Sequence, residues 1–315
     1  MTCHSCTVEC KRDGRDRKGR QRYQCRQCAK VFLEPQEKPL ETMYLPIEKA
    51  EMVLALLLEG NSISSVERVT GVHHGTILKL LVLAGEKCER IMAEKIRNVI
   101  ARDVECDEVW SFVAKKQKRV RPEDDPNFGD CYVFAAIERH CKLVLNIAMG
   151  KRDQQTTDAL IEGVRHTTAQ GSKFQITTDG FAPYRTSIPI SLHDRITGYA
   201  MLIKVYRASQ DGEARYSPAE VQSVEVVPVY GQPDPERICT SIIERSNLSL
   251  RMGLRRFTRL TNGFSKKWEN HWAATVLWYC WYNFGRVHKS LRVTPAMEAK
   301  ITDHVWSVRE LLEAA

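Results

Sequence analysis

Residues 104–113 read VECDEVWSFV, and the valines, tryptophan and phenylalanine of this run predict a buried β-strand. Three acids interrupt it: Glu105, Asp107 and Glu108. Strands are depleted in aspartate and glutamate, because these side chains pack poorly on a half-buried pleated surface. A core strand with carboxylates in its middle therefore needs a reason beyond packing.

The residues around this strand predict a mixed α/β domain with a five-stranded sheet. The strand-like runs are 103–113, 131–137, 142–149, 173–180 and 201–207. An amphipathic helix is predicted at 156–170, between the third and fourth strands. Residues 208–236 are rich in proline, glycine and charge, which favours an inserted loop or hairpin. A long helical region is predicted from 240 to 286, and a short helix at 305–314.

The residues before this domain predict three helices, at 47–60, 62–71 and 72–86. Ser64 and Glu67 have the spacing of a capping box, and Gly71 stands where the turn of a helix-turn-helix requires it. In such a motif the third helix enters the major groove of DNA. Its exposed polar candidates are His74, Thr76 and Lys79. The alternative is an ordinary three-helix packing module.

The N-terminal segment contains four cysteines arranged as two C-x-x-C pairs, namely Cys3, Cys6, Cys25 and Cys28. Four thiolates in two such pairs suit tetrahedral zinc, and a segment this short cannot build a core without a metal. Redox-active or free thiols are the alternative. The chain has 11 cysteines, and in a cytoplasmic protein these do not form a disulfide framework.

The charge distribution favours contact with a polyphosphate. The net charge of the 315-residue chain is +8, and two zones, residues 1–40 and 245–292, contain ten Lys and Arg each. Such zones are typical of nucleic-acid contact, although a solvated basic face is the alternative. No apolar stretch is long enough for a transmembrane helix, and no signal-peptide core precedes residue 20. We therefore expect a cytoplasmic protein without a membrane partner.

Three acids recur at informative positions. Asp107 lies on the first predicted strand, Asp179 follows the fourth, and Glu244 begins a later helix. Each alone is typical of a surface or cap residue, and Asp179 precedes a glycine as in many turns. Together they follow the order found in ribonuclease-H-like nucleic-acid enzymes. Three carboxylates at one end of a sheet can hold two Mg²⁺ or Mn²⁺ ions on one phosphate.

The predicted helix from Glu244 adds a basic stripe at spacings of three or four residues. Its members are Asn247, Arg251, Arg255 and Arg259. Like charges on one helix face are unfavourable in isolation. A phosphate backbone lying along the face would compensate for this cost, so these residues are predicted to bind DNA. A solvated basic face is again the alternative.

Several stretches resemble the DDE-class transposases of bacterial insertion sequences, most closely those of the insertion sequence one family. The similar stretches are CHSC and CRQC in the N-terminal segment, CDEVWSFV (106–113), TTDGFAPY (177–184), IERSNLSLRMGLRRFTRLTNGFSKKWENH (243–271) and YNFGRVHKSLRVTPAMEAKITDHVW (282–306). They occur in the family's order and extend over nearly the whole chain.

The resemblance implies a ribonuclease-H-like mixed sheet with flanking helices, preceded by a zinc ribbon and a helix-turn-helix. The implied domains are a ribbon at 1–35, a linker at 36–46, a DNA-binding domain at 47–98, a catalytic domain at 99–292 with an insertion at about 185–236, and a helical tail at 293–315.

The resemblance also implies an activity. The protein is expected to bind the inverted-repeat ends of its own mobile element and to cleave and transfer the DNA 3′ ends with Mg²⁺ or Mn²⁺. The implied catalytic triad is Asp107, Asp179 and Glu244, with Glu225 and Glu236 as competitors for the third place. Expected partners are end and target DNA and further copies of the chain in a synaptic complex at the nucleoid. Two alternatives are a non-catalytic DNA-binding regulator and a catalytically inactive relative.

Overall fold

The computed structural model describes residues 1–17, 19–34, 39–206, 221–258 and 261–314. The chain divides into two compact units, Met1–Tyr44 and Leu45–Ala315. Within the described residues, no helix is both long and apolar enough to cross a membrane.

The first unit is a small antiparallel sheet with cysteines at its centre. Its strands are β1 (Cys10–Arg15), β2 (Gln21–Cys25) and β3 (Val31–Leu33), in the order β1-β2-β3. Its buried apolar residues are Cys3, Cys10 and Cys25, with Tyr23 and Phe32 packed against them. A core this small buries too little apolar surface to hold three strands together without a cross-link.

The second unit begins with three helices, α1 (Ile47–Leu58), α2 (Ile63–Thr70) and α3 (His74–Lys95). Gly71 ends α2 with a left-handed backbone (φ 68°), at the position predicted for the turn. The predicted capping box is wrong in its residues: Ser62 is the N-cap, and its side chain accepts the N–H of Ser65. Glu67 instead accepts hydrogen bonds from His74, which joins the end of α2 to the start of α3.

A six-stranded mixed sheet forms the centre of this unit. Its strands are β4 (Asp103–Val113), β5 (Gly129–Glu138), β6 (Val144–Gly150), β7 (Phe174–Thr178), β8 (Ile196–Tyr206) and β9 (Val221–Gly231), in the order β6-β5-β4-β7-β8-β9. β7 runs parallel to both β4 and β8, and the other neighbours are antiparallel.

The sheet has one strand more than the five predicted, and the predicted insertion is smaller than 185–236. Part of that range is α5 (Tyr184–Leu192), whose residues Tyr184, Ile188 and Leu192 are fully buried. The first half of β8 pairs with β7. Among the described residues of that range, the outer half of β8 and strand β9 extend beyond this central part, and β9 is the edge strand that pairs with β8.

Helices cover both faces of the sheet. α4 (Gln154–Thr167) and α5 lie on one face, and α6 (Ser241–Gly253) and α7 (Trp268–Phe284) lie on the other. The single long helical region predicted at 240–286 is wrong. α6 ends at Gly253, Leu254 has an extended backbone (φ −115°, ψ 113°), and a short 3₁₀ turn, Arg255–Phe257, follows; α7 begins at Trp268.

The first three helices and the C-terminal residues pack on this body instead of forming separate domains. α3 lies against α7 so closely that a Cβ on Gly85 would be 2.5 Å from the Cα of Ala273. The last elements are α8 (Pro295–Glu298) and α9 (Val308–Glu313). Arg309 of α9 forms ion pairs with Glu48 and Glu51 of α1. The boundaries predicted near 98 and 293 therefore do not separate compact units.

Candidate functional site

The sheet topology places two of the predicted acids next to each other. Cys106 and Thr178 are the last paired residues of the parallel strands β4 and β7. Asp107 and Asp179 are the next residue on each strand. Since parallel strands advance in the same direction, these two residues lie level with each other at the carboxyl end of β7.

Glu108 joins them, which the sequence analysis did not predict. One carboxylate oxygen of each of Asp107, Glu108 and Asp179 lies within 4.8 Å of the others. Neighbouring residues of a strand point to opposite faces, so Asp107 and Glu108 were not expected to meet. Their carboxylates nevertheless lie near each other and near that of Asp179, which follows the end of β7. The adjacent D-E pair is the only sequence signal of this arrangement.

Hydrogen bonds fix each carboxylate of this group, the acidic cluster. Asp107 accepts the side-chain N–H of Asn247 (2.8 Å) and the backbone N–H of Glu108 (2.8 Å). Asp179 accepts the backbone N–H of Phe181 (3.0 Å). Arg152 donates through Nε to Glu108 Oε1 (2.7 Å), and its Nη2 lies 3.5 Å from Asp179 Oδ2. Its guanidinium also lies 4.3 Å from the centre of the Phe181 ring.

Because the cluster is buried, it is unfavourable for all three of its carboxyl groups to be ionised at the same time. Burial, and next the charge of Asp179, raise the pKa of Asp107 to about 6 and that of Glu108 to about 8. Burial also raises the pKa of Asp179. Two oxygens next to the cluster, Glu108 Oε2 and Asn247 Oδ1, are buried without a hydrogen-bond partner. Carboxylate and amide oxygens are the ligands that Mg²⁺ and Mn²⁺ prefer, so the donor set fits these ions.

Glu244 lies outside this cluster. It stands in the first turn of α6, where Lys204 and the hydroxyl of Thr240 (2.6 Å) donate to its carboxylate. Asn247, one turn later on the same helix, is the residue that reaches Asp107. The charge of Glu244 nevertheless contributes to the raised pKa of Asp107. The structure thus brings Asp107 and Asp179 together and leaves Glu244 one helical turn away.

Glu105 has a different task. Its Oε2 accepts the backbone N–H groups of Ile242 and Ile243, both at 2.9 Å, at the start of α6. These N–H groups have no partner within the helix, and the side chain of Thr240 does not cap them. Burial raises the pKa of Glu105 to about 7. The acids of the opening stretch therefore divide into a helix cap and two members of the acidic cluster.

The four predicted cysteines also come together. One sulfur of each of Cys3, Cys6, Cys25 and Cys28 lies within 4.8 Å of the others. The Cys25 sulfur accepts the backbone N–H groups of Gln27 and Cys28, which lower its pKa to about 6. Thiolates are the form in which cysteine binds metal. The set fits one tetrahedral ion such as Zn²⁺, and Cys10 is outside the four-sulfur group.

A groove lies where β4 continues past the acidic cluster. It has a volume of about 980 Å³ and is lined by aromatic and basic side chains. We call it the basic groove. Its lining includes Trp110, Phe112, Phe264, Lys116, Lys118, Arg119 and Arg255. Among the described residues these four cations have no acidic partner. The groove thus presents positive charge next to half-buried aromatic rings.

The predicted DNA-binding residues fall in three places. His74 and Lys79 are exposed at the start of α3, with Thr76 half-buried between them. Arg251 and Asn247 lie on α6, whereas Arg255 lies in the following 3₁₀ turn, so the predicted continuous helical stripe is wrong. Arg259 lies outside the described residues. His74 and Arg255 line a second cavity of about 470 Å³, which connects the start of α3 with the basic groove.

Comparisons with known proteins give distant similarities only. No family model and no curated protein matches the chain. A piggyBac transposase in a synaptic complex with hairpin DNA aligns at 10% identity and a TM-score of 0.36, covering 87% of this chain and 72% of that one. The Mos1 mariner paired-end complex with Mn aligns at 10% identity and a TM-score of 0.21, covering 51% and 60%. An Argonaute from Aquifex aeolicus aligns at 11% identity and a TM-score of 0.23, covering 56% and 28%.

Proposed function

We propose that this protein is a divalent-metal-dependent DNA transposase of the DDE type. The observation that carries the proposal is the placement of Asp107 on β4, level with Asp179 at the carboxyl end of the adjacent parallel strand β7, with Glu108 beside them. The order β6-β5-β4-β7-β8, in which three antiparallel strands are followed by two parallel ones, is the ribonuclease-H-like arrangement. The sequence resemblance to insertion-sequence transposases supports the same reading.

In this proposal Asp107, Asp179 and Glu244 hold two Mg²⁺ or Mn²⁺ ions at the scissile phosphate. When bound, such a pair activates the attacking oxygen and stabilises the leaving oxygen. Asn247 holds one oxygen of Asp107 and so orients the other. Glu244 joins the site when Lys204 binds a phosphate of the DNA and thereby releases the Glu244 carboxylate. The attacking groups are water and then the liberated 3′-hydroxyl, so no covalent protein–DNA intermediate forms.

The remaining predicted sites have DNA-binding roles in this proposal. Cys3, Cys6, Cys25 and Cys28 hold one Zn²⁺ that folds the N-terminal ribbon, which elemental analysis of the purified protein tests. His74, Thr76 and Lys79 read the inverted-repeat ends from a helix-turn-helix. Arg251, Arg255 and Arg259 contact phosphates of end and target DNA, whereas the predicted phosphate contact Asn247 is buried and holds Asp107 instead. Copies of the chain assemble on paired ends at the nucleoid in the cytoplasm.

A second candidate function is a non-catalytic DNA-binding regulator. The position of Glu244, outside the acidic cluster and bound by Lys204, favours it. A regulator needs neither the paired aspartates nor a metal for binding. The two functions therefore differ in whether the wild-type protein cuts its DNA.

A cleavage assay on DNA that carries the element's inverted repeats separates the two functions. The wild-type protein should nick the 3′ ends only with Mg²⁺ or Mn²⁺. Asp107→Asn and Asp179→Asn should abolish nicking, a loss of about 10³-fold or more, because they remove metal-binding charge. Both variants should bind DNA as well as the wild type or slightly more tightly, since a negative group near phosphate is gone.

The control is Glu162→Gln, which removes an exposed carboxylate of α4 outside the site and should cut normally. Wild-type protein that binds the ends but never cuts them would favour the regulator. Nicking by Asp107→Asn close to the wild-type rate would refute the proposed catalytic residues.

A further inference from the structure

We propose that Glu108 supplies a carboxylate ligand to the divalent-metal site of Asp107 and Asp179, and that Arg152 is the positioning residue that holds Glu108 there. The inference deepens the proposed function, since it concerns the same site. It adds a residue to the metal-binding set predicted from the sequence, which was Asp107, Asp179 and Glu244.

The burial of Glu108 is the first observation. Its side chain is 4% exposed, although it carries a carboxylate. Oε1 receives Arg152, whereas Oε2 is buried without a hydrogen-bond partner. A buried carboxylate oxygen without a partner is costly, so such atoms usually face a hydrogen-bond donor or a cation. An ion bound between Glu108 and the two aspartates would satisfy this oxygen.

The charge within the acidic cluster is the second observation. When all three are ionised, Asp107, Glu108 and Asp179 carry three negative charges, of which Arg152 balances one through its ion pairs with Glu108 and Asp179. Two negative charges remain within a small, mostly buried space. One divalent cation neutralises them, whereas a monovalent cation does not.

The support of Arg152 is the third observation. Phe181 places its ring against the guanidinium and its backbone N–H on Asp179. One residue thus fixes both the arginine and a carboxylate of the cluster. Because Arg152 takes only one oxygen of Glu108, it orients the side chain without occupying the second oxygen. Outer partners of this kind commonly set the direction of a metal-binding carboxylate.

Mn²⁺ binding to the full chain without DNA tests the inference. The free ion is counted by its electron paramagnetic resonance signal, so the readout does not depend on cleavage. Glu108→Gln should weaken Mn²⁺ binding about tenfold or more, as Asp107→Asn should. Glu162→Gln, which removes the same charge outside the cluster, should bind Mn²⁺ like the wild type.

Glu108→Asp separates ligation from charge, because it keeps the carboxylate and shortens its reach by one methylene. Weaker Mn²⁺ binding by this variant supports ligation, and it decides the question if Glu108→Gln does not fold. Arg152→Ala should weaken binding less than Glu108→Gln, and Arg152→Lys should restore part of the loss.

The outcomes for the inference and for the proposed function are distinct. If Asp107→Asn weakens Mn²⁺ binding while Glu108→Gln and Glu108→Asp do not, the inference is overturned and the proposed function stands. If Glu108→Gln weakens Mn²⁺ binding but the wild-type protein never cuts DNA, the inference stands and the proposed function fails.

Discussion

Asp107 and Glu108 are consecutive residues whose pKa values are set by their surroundings in the folded chain. In the unfolded chain they titrate near their ordinary values of 3.8 and 4.5, whereas folding raises these to about 6 and about 8. Between these limits the folded protein therefore binds more protons than the unfolded chain. Without divalent metal, the contribution of these two groups to stability therefore falls as the pH rises from about 4 to about 8.

Glu108→Gln should reduce this pH dependence, because a neutral amide has no proton to lose. In buffer free of Mg²⁺ and Mn²⁺, we expect the variant to be more stable than the wild type at pH 8 by on the order of 4 kcal/mol. At pH 4 the two should be nearly equal. Urea unfolding at a series of pH values measures both differences.

In the comparison between variant and wild type, the contributions of the other titrating groups to the pH dependence of stability cancel. His271 and His288 have pKa values lowered by burial to about 3 and about 4, and they act in the opposite direction below pH 6.5 in both proteins. Glu162→Gln serves as the control with an unchanged pH slope. An equal slope in Glu108→Gln and the wild type would contradict the burial of a charged Glu108.

At the scale of secondary structure, hydrogen bonds from side chains connect strand β4 with helix α6. Glu105 caps the start of α6, and Asn247 on that helix holds Asp107. The cap therefore sets where Asn247 lies relative to the acidic cluster. A structural carboxylate on β4 thus supports the geometry around Asp107, its neighbour on the same strand.

Glu105→Ala should loosen the first turn of α6. The N–H groups of Ile242 and Ile243 would lose their acceptor, which costs about 1–3 kcal/mol. Their amide hydrogens should exchange faster with solvent, as hydrogen-exchange mass spectrometry would show. Glu105→Gln is the matched variant: its amide oxygen still accepts, so most of the protection should remain. Equal exchange in both variants would show that the carboxylate oxygen is not the cap.

At the scale of the whole molecule, the proposed function assigns two different kinds of DNA contact to the basic groove and to the start of α3. The groove cations lie on flexible side chains without acidic partners among the described residues. The polar residues of α3 are presented by a helix end, which fits into a major groove. The first set is suited to phosphates and the second to base edges.

Lys118→Ala and Arg255→Ala should weaken binding to duplexes of any sequence. The dependence of log Kd on log salt should lose a slope of about 0.9 for each phosphate contact removed. Thr76→Ala should instead reduce the preference for the inverted-repeat end and leave the salt slope unchanged. Fluorescence anisotropy with end and scrambled duplexes at several salt concentrations measures both effects.

Lys95→Ala is the control, because Lys95 is exposed on α3 and does not line the basic groove. Its affinity and salt slope should match those of the wild type. An identical loss of end preference in Thr76→Ala and Arg255→Ala would refute the division between base reading and phosphate contact.

Local patterns in the sequence were sufficient to predict the elements that have a strong periodicity or a fixed spacing. The strand around Asp107, the helix α4 and the turn at Gly71 depend on neighbouring residues, so their signals are present in a short window. The same holds for the four cysteines, since two C-x-x-C pairs specify a four-sulfur group directly. Likewise, the order of Asp107 and Asp179 relative to the strands was sufficient to predict that they meet.

The tertiary structure alone decided the features that depend on distant contacts. β9 has no buried residue and forms by pairing with β8, so its sequence has no core pattern. The break after Gly253 interrupts a run that reads as helical. Gly253 packs so closely on Trp278 that an added Cβ would lie 2.6 Å from the indole Nε1. Glu108 enters the acidic cluster, and Glu244 stays outside it, because Arg152 and Lys204 come from other elements of the fold. Local sequence specifies which residues are available, whereas strand register and side-chain partners from remote segments determine which of them meet.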